Sequence, residues 1–170
     1  MNGLEDKEGL ARKLYLHFNT KAFNNKLPMD LPIKWSIRLN KTAGRTHTKR
    51  LVSQTDSVEY HAEIELATKV LDTHERLQIT LLHEMCHAAC WLLDHDNSQP
   101  HGKLFKKWGQ IASDATGIEV TTCHSYDIAY KYTYRCSNAA CGRSYGRHSK
   151  SINIETHGCG YCKHKLILVT

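Results

Sequence analysis

A chain of 170 residues, 41% of them hydrophobic, can bury a core and suits one domain or one domain plus a small metal module. No apolar run approaches the roughly 18 residues of a membrane span, and Met1–Lys7 lacks the apolar stretch of a secretory signal, so an intracellular protein with no membrane partner is expected. The formal net charge of +6 is uneven: residues 1–100 balance 13 Lys+Arg against 13 Asp+Glu, while residues 101–170 hold 10 against 4.

Leu10 to Phe23 carries apolar residues at 10, 11, 14, 15, 18 and 22, the spacing of an amphipathic helix. Leu31 to Leu39 alternates through Ile33, Trp35, Ile37 and Leu39, a strand pattern. Thr42 to Val52, with Gly44 and many Thr and basic residues, reads as a second strand, and Tyr60 to Leu66 alternates through Ala62, Ile64 and Leu66 as a third. Asp72-Thr73-His74-Glu75 has the form of a capping box, an acceptor with Glu three residues on. Leu77, Leu81, Ala88 and Leu92 then recur at helical spacing, widened by Leu82, Met85 and Trp91, with no Pro or Gly from Asp72 to Asp96. Pro100 opens a further helix running to Thr116, with Gly117 as its C-cap residue. The fold class is therefore α+β, with a small antiparallel sheet beside the helices. After Glu119 the character changes to Tyr, Cys, His and basic residues, which divides the chain into units 1–122 and 123–170.

His83-Glu84-Met85-Cys86-His87 lies inside the long helix. Residues four apart on a helix share one face about one turn apart, so His83 and His87 can grip one tetrahedral Zn²⁺. Glu84 lies about 100° around, placed to act as a general base without ligating the metal. A Glu and two His on a mostly apolar helix would be costly to bury without a metal or partners.

A catalytic zinc takes three protein ligands and leaves one position open. Cys90 and Leu93 occupy the positions where the metzincin pattern needs Gly and His, so that class is excluded. His95 would require a sharp reversal, and Asp94–Asn97 reads as a solvated turn. His101 leads a stripe of Leu104, Phe105, Trp108, Ile111, Ala112 and Ala115 and should face the first zinc helix. It is the third candidate ligand; its bland reading is a capping or buried histidine.

Seven cysteines is an odd number and argues against a fully disulfide-paired secreted domain. Cys136/Cys141 and Cys159/Cys162 form two close pairs separated by 17 residues, and Gly142, Gly158 and Gly160 flank them. This is the spacing of a four-cysteine zinc ribbon, the expected site of a structural zinc. His157 stands near enough to replace one cysteine. Cys86 and Cys90, one turn apart on the zinc helix, read as small buried hydrophobes. The same part of the chain holds six of the eight tyrosines. Tyr145, Arg147, His148 and Lys150 lie between the cysteine pairs, and Tyr161, Lys163 and Lys165 surround the second. Cations interleaved with aromatic faces suit nucleic acid: charges follow phosphates and rings stack on unpaired bases. Tyr145, Arg147, Lys150, Tyr161 and Lys163 are the candidate DNA contacts. The alternative is a solvated basic surface with tyrosines packed on the ribbon.

His83–His87 followed by His101-Gly102, Phe105 and Trp108 resembles the SprT-like metallopeptidases, the group that includes Spartan, as does Lys41-Thr42-Ala43-Gly44. Cys123-His124-Ser125-Tyr126 and Gly146–Ser151 are most similar to the germ cell nuclear acidic protein branch. The four residues Ser137–Ala140 between the first cysteines depart from the family's usual two. The resemblance implies a gluzincin-like minimal metalloprotease core followed by the ribbon. It further implies zinc on His83, His87 and His101, with Glu84 as base, and a nuclear, chromatin-associated protein. The expected function is a DNA-dependent zinc metalloendopeptidase, a monomer carrying two Zn²⁺, that cleaves proteins crosslinked to DNA of single-stranded character. The alternatives are a catalytically silent DNA-binding adaptor and a general zinc peptidase whose ribbon is only structural.

Overall fold

In the computed structural model, which describes residues 6–122, 130–147 and 149–170, the chain divides into two compact units, Met1–Tyr126 and Asp127–Thr170. The segment Cys123–Tyr126 and His148, singled out in the sequence, lie outside the described residues.

The first unit opens with α1, Lys7–Phe23, which starts one turn before the apolar stripe because the Asp6 carboxylate accepts the Gly9 N–H at 2.8 Å and caps it. Ala11, Leu14, Tyr15, Phe18, Ala22 and Phe23 form its buried face. Asn19 is buried on the same face; its amide donates to the Leu27 carbonyl at 2.8 Å and accepts the Leu27 N–H at 3.2 Å. The helix ends at Asn24, whose left-handed backbone (φ 50°) is one Asn tolerates.

Three strands follow: β1, Ile33–Ser36; β2, Gly44–Val52; and β3, Val58–Ala67. They form one sheet in the order β1-β3-β2. β2 and β3 are an antiparallel hairpin, but β1 runs parallel to β3, with Ile33 opposite Ile64 and Trp35 opposite Leu66. The sheet is thus mixed, not antiparallel as the alternation suggested. Period-two patterning marks a buried face but carries no strand direction; only the short β2–β3 link dictates one. Ile64, Leu66 and Ala67 of the central strand are fully buried.

Helix α2, His74–Leu92, packs on this sheet. Its N-cap is Thr73, whose hydroxyl accepts the Arg76 N–H at 3.2 Å, rather than Asp72. Asp72 instead pairs with the Arg76 guanidinium at 2.9 Å, so the cap falls one residue later than expected and puts Arg76, not Glu75, three residues after it. Leu77, Leu81, Leu82, Met85, Cys86 and Ala88 are fully buried. Helix α3, Lys103–Thr116, closes the unit and ends at Gly117, whose φ of 72° makes it the left-handed C-cap expected. It starts three residues later than the sequence suggested. Pro100 and His101 are the middle residues of a turn in which the Gly102 N–H donates to the Gln99 carbonyl at 2.9 Å. Pro at the second and Gly at the fourth position are favoured in such turns. Asp94, at the C-terminal end of α2, accepts the Trp108 indole N–H at 2.6 Å and the Lys107 ammonium at 3.0 Å, tying α3 to α2 across the loop that carries His101.

The second unit is an antiparallel sheet of β4, Tyr132–Cys136; β5, Ser144–Arg147; and β6, Leu166–Leu168, in the order β5-β4-β6. Its core consists of Tyr134, Cys136, Cys159 and Leu166. Among the described residues, no helix is long and apolar enough to cross a membrane.

Asn19→Leu should strip both partners from the buried Leu27 peptide groups, which cost about 1–3 kcal/mol each when unsatisfied. Urea denaturation should show a loss of at least about 2 kcal/mol.

Candidate metal centres

His83, Glu84 and His87 project from the middle of α2, and His101 reaches the same point from its turn. The three histidines each offer a ring nitrogen within 4.8 Å of the others. The His83 Nε2 lies 3.1 Å from His87 Nε2 and 3.3 Å from His101 Nε2. Nitrogens bound tetrahedrally at about 2.0–2.1 Å would be about 3.3 Å apart, so the spacing fits one zinc ion. The tautomer fits as well. His83 Nδ1 lies 3.0 Å from the Thr121 carbonyl, which only accepts, so Nδ1 carries the proton and Nε2 of the neutral ring keeps its lone pair for a metal. Phe105, fully buried, packs against all three imidazoles with ring centroids 4.8, 4.5 and 4.9 Å from those of His83, His87 and His101. It forms an apolar floor under the donor set. His95 is not part of the group: it stacks on Tyr60 at 3.9 Å, with Nδ1 3.3 Å from the Trp91 carbonyl.

His83, Glu84, His87 and His101 line a cleft of about 340 Å³ together with Gly44, Arg45, Thr46 and Thr48 of β2 and with Asn97, Gln99 and Pro100. Glu84 is 4% exposed. Burial pushes its carboxyl up to about 7, opposed by the hydrogen bond from Thr46 and by the charges of Arg45 and His47. Thr46 was not singled out by sequence reasoning, though strand alternation puts it on the same face as Gly44. Cys86 is fully buried, and burial pushes its thiol far up; Cys90, at the cleft wall, is pushed up to about 11 by burial and then by Asp94. Both behave as the apolar packing residues expected.

In the second unit Cys136, Cys141, Cys159 and Cys162 place their sulfurs within 4.8 Å of one another. Cys136 lies 3.3 Å from Cys162 and Cys141 3.7 Å from Cys159. Tetrahedral zinc thiolates, at about 2.3 Å, would stand about 3.8 Å apart. The wider first knuckle is absorbed by one turn: the Cys141 and Gly142 N–H groups both donate to the Asn138 carbonyl at 3.0 Å, and Gly142 takes a φ of 56°. At the second knuckle a Cβ on Gly158 would lie 2.6 Å from the Lys163 carbonyl oxygen, so glycine alone permits the approach. The Cys162 backbone N–H, followed by the Tyr145 hydroxyl at 3.1 Å, lowers the Cys159 thiol to about 5, and the His164 backbone N–H lowers Cys162. Burial raises Cys136 to about 12. Thiolates this close need a cation between them, and four sulfurs are the donor set for Zn²⁺. His157 is outside the group; its Nδ1 lies 2.9 Å from the Thr156 hydroxyl.

The candidate DNA contacts divide. Tyr145 packs on the ribbon core with its hydroxyl on Cys159 and on the Gly160 N–H at 3.1 Å. Tyr161 is 71% exposed, and the Arg143 guanidinium, which sequence reasoning passed over, lies 4.2 Å from its ring centroid. Lys150 and Lys163 are exposed, and the Arg147 guanidinium donates to the Gly146 carbonyl at 2.7 Å.

An α+β unit with three histidines converging over a buried glutamate, followed by a four-cysteine ribbon, defines a chain with two zinc-compatible sites. The SprT-like family profile matches residues 11–124, and the chain belongs to the SprT-like family. An HMG box-containing protein of Schizosaccharomyces pombe is 39% identical over 170 residues, covering 96% of this chain and 47% of its own length. Germ cell nuclear acidic protein of Drosophila melanogaster is 40% identical over 169 residues, covering 98% of this chain and 15% of its own. Human DNA-dependent metalloprotease SPRTN is 26% identical over 157 residues, covering 87% of this chain and 30% of its own. The chain spans less than half the length of each of these relatives. The family and its germ cell nuclear acidic relatives are those the motifs indicated.

Phe105→Ala should remove the floor of the histidine site, costing about 3–5 kcal/mol of stability. Competition with a chromophoric chelator should show weaker metal retention at that site, with the ribbon unaffected. In the folded protein iodoacetamide at neutral pH should leave Cys86 and Cys90 unmodified, as read by peptide mass spectrometry. Both should react after denaturation.

Proposed function

We propose that the chain is a zinc endopeptidase unit joined to a zinc ribbon that binds DNA, and that it cleaves proteins crosslinked or tightly bound to DNA. The observation that carries this reading is the convergence of three Nε2 atoms and the Glu84 carboxylate in one open cleft. Family membership supports it, as does the similarity to SPRTN, a DNA-dependent metalloprotease.

His83, His87 and His101 would hold the catalytic zinc, and Cys136, Cys141, Cys159 and Cys162 the structural one. Zinc on the histidines supplies a Lewis acid that makes water more acidic and polarises a carbonyl. Glu84 takes the proton from the attacking water and returns it to the leaving amine. The His83–Thr121 bond fixes the imidazole's orientation. β2, an edge strand among the described residues, offers backbone groups along the cleft to an extended substrate.

The second unit supplies location. Residues 127–170 hold seven Lys+Arg against two Asp+Glu, and Tyr161 with Arg143 presents an exposed ring beside a cation. Such a face follows phosphates and stacks on unpaired bases. Proximity then selects the substrate, in a nuclear, chromatin-associated setting. Tyr145 contributes through the ribbon core rather than as a free platform.

Glu84→Gln should abolish cleavage of a DNA–protein crosslink while leaving DNA binding intact; cleavage that survives would overturn the catalytic assignment. Metal analysis should find two zinc ions per chain, falling to one in Cys162→Ser. Tyr161→Ala should weaken single-stranded DNA binding by about 1–3 kcal/mol. Absence of binding at low salt would leave the ribbon without its proposed role.

A further inference from the structure

We propose that Thr46 is the positioning residue for Glu84, a device of the β2 edge strand that holds the carboxylate in place for proton transfer. The inference rests on the protease reading and adds to it a residue outside the zinc helix. The Thr46 hydroxyl donates to Glu84 Oε2 at 2.7 Å, and the Thr46 Oγ1 also lies 3.0 Å from the Glu84 backbone carbonyl oxygen. A side chain on the strand thus addresses both ends of one residue on the helix. Glu84 Oε1 has no hydrogen-bond partner among the described residues. One carboxylate oxygen is anchored and the other is left for chemistry.

The anchor itself is fixed. Thr46 pairs in register with Ile64 of the central strand, which is fully buried. Two residues earlier on the same face, Gly44 clears the space beside the carboxylate. A Cβ there would stand 3.0 Å from Glu84 Cγ and 3.2 Å from Oε1. Two residues later, the Thr48 hydroxyl accepts the Asn97 amide at 2.8 Å, holding the loop that leads to His101. The cleft-facing positions of β2 therefore give room to, anchor and flank the glutamate. A glutamate has three side-chain torsions, and without the anchor it would sample rotamers in which neither oxygen faces the reacting atoms. Misplacement by about 1 Å can cost about 100-fold in rate.

The test compares Thr46→Val, which removes the hydroxyl in nearly the same shape, with Thr46→Ser, which keeps it. On the zinc-loaded full chain cleaving a DNA-bound protein, Thr46→Val should lower kcat about 100-fold with KM changed less than about twofold. Thr46→Ser should restore most of the loss, and zinc content should be equal in all three. A second readout needs no turnover. In zinc-loaded chain labelled with carboxyl-¹³C glutamate, the Glu84 signal, assigned by its absence in Glu84→Gln, should move in Thr46→Val and stay in Thr46→Ser. An active Thr46→Val chain with wild-type kcat, or an unmoved Glu84 signal, overturns the role of Thr46 alone. A wild-type chain without Glu84-dependent turnover overturns the protease reading and takes this role with it.

Discussion

How closely α2 can approach the edge strand β2 governs the first unit. Gly44 is a point of close approach: a Cβ there would lie 2.9 Å from Thr80 Cγ2 and 3.0 Å from Glu84 Cγ. Bare backbone at that position lets the helix sit low on the sheet. From that seat follow the burial of Glu84, its bond to Thr46 and the depth of the cleft. A wider separation would hydrate the carboxyl and return it toward its ordinary range, because burial is the largest influence raising it. The packing that stabilises the core is therefore the same packing that tunes the site.

The two metal-compatible sites are built by opposite means. The histidine site is placed on a rigid helix with a fully buried aromatic floor, so its donors are brought together by an apolar core that exists for its own reasons. Among the described residues, the cysteine site is itself half of its unit's buried core: Cys136 and Cys159 are buried with Tyr134 and Leu166, and Cys141 and Cys162 pack against them. A unit this small cannot bury enough apolar surface to offset chain entropy without a staple. The same ion type would thus be chemically active in one unit and architectural in the other.

Much of this was legible in the sequence, for identifiable reasons. His83 and His87 are fixed by helical periodicity, which is a local property. The cysteine pairs are legible because knuckle spacing is short-range. His101 was placed correctly in space but on the wrong element, since Pro100 suits both a helix start and a turn, and only the Gln99–Gly102 bond decides. The parallel β1–β3 pairing was not legible, because alternation is blind to direction. Thr46, the Thr121 carbonyl and the Arg143–Tyr161 pair depend on residues far apart in the chain meeting in three dimensions, and no single-sequence pattern encodes that. Tyr145 shows the converse: an aromatic among cations read as a binding residue, yet its hydroxyl belongs to the sulfur cluster.

The Thr121 carbonyl has a bearing on where this chain can be divided. It lies past the end of α3, in residues with no regular secondary structure, and a boundary drawn from helices alone would fall at Gly117. Yet it holds the proton of His83 on Nδ1. The smallest transplantable piece that keeps the histidine site intact is therefore longer than its last helix. A graft or fusion joined before residue 121 would inherit all three histidines and the glutamate while losing the acceptor that selects which nitrogen of His83 can bind.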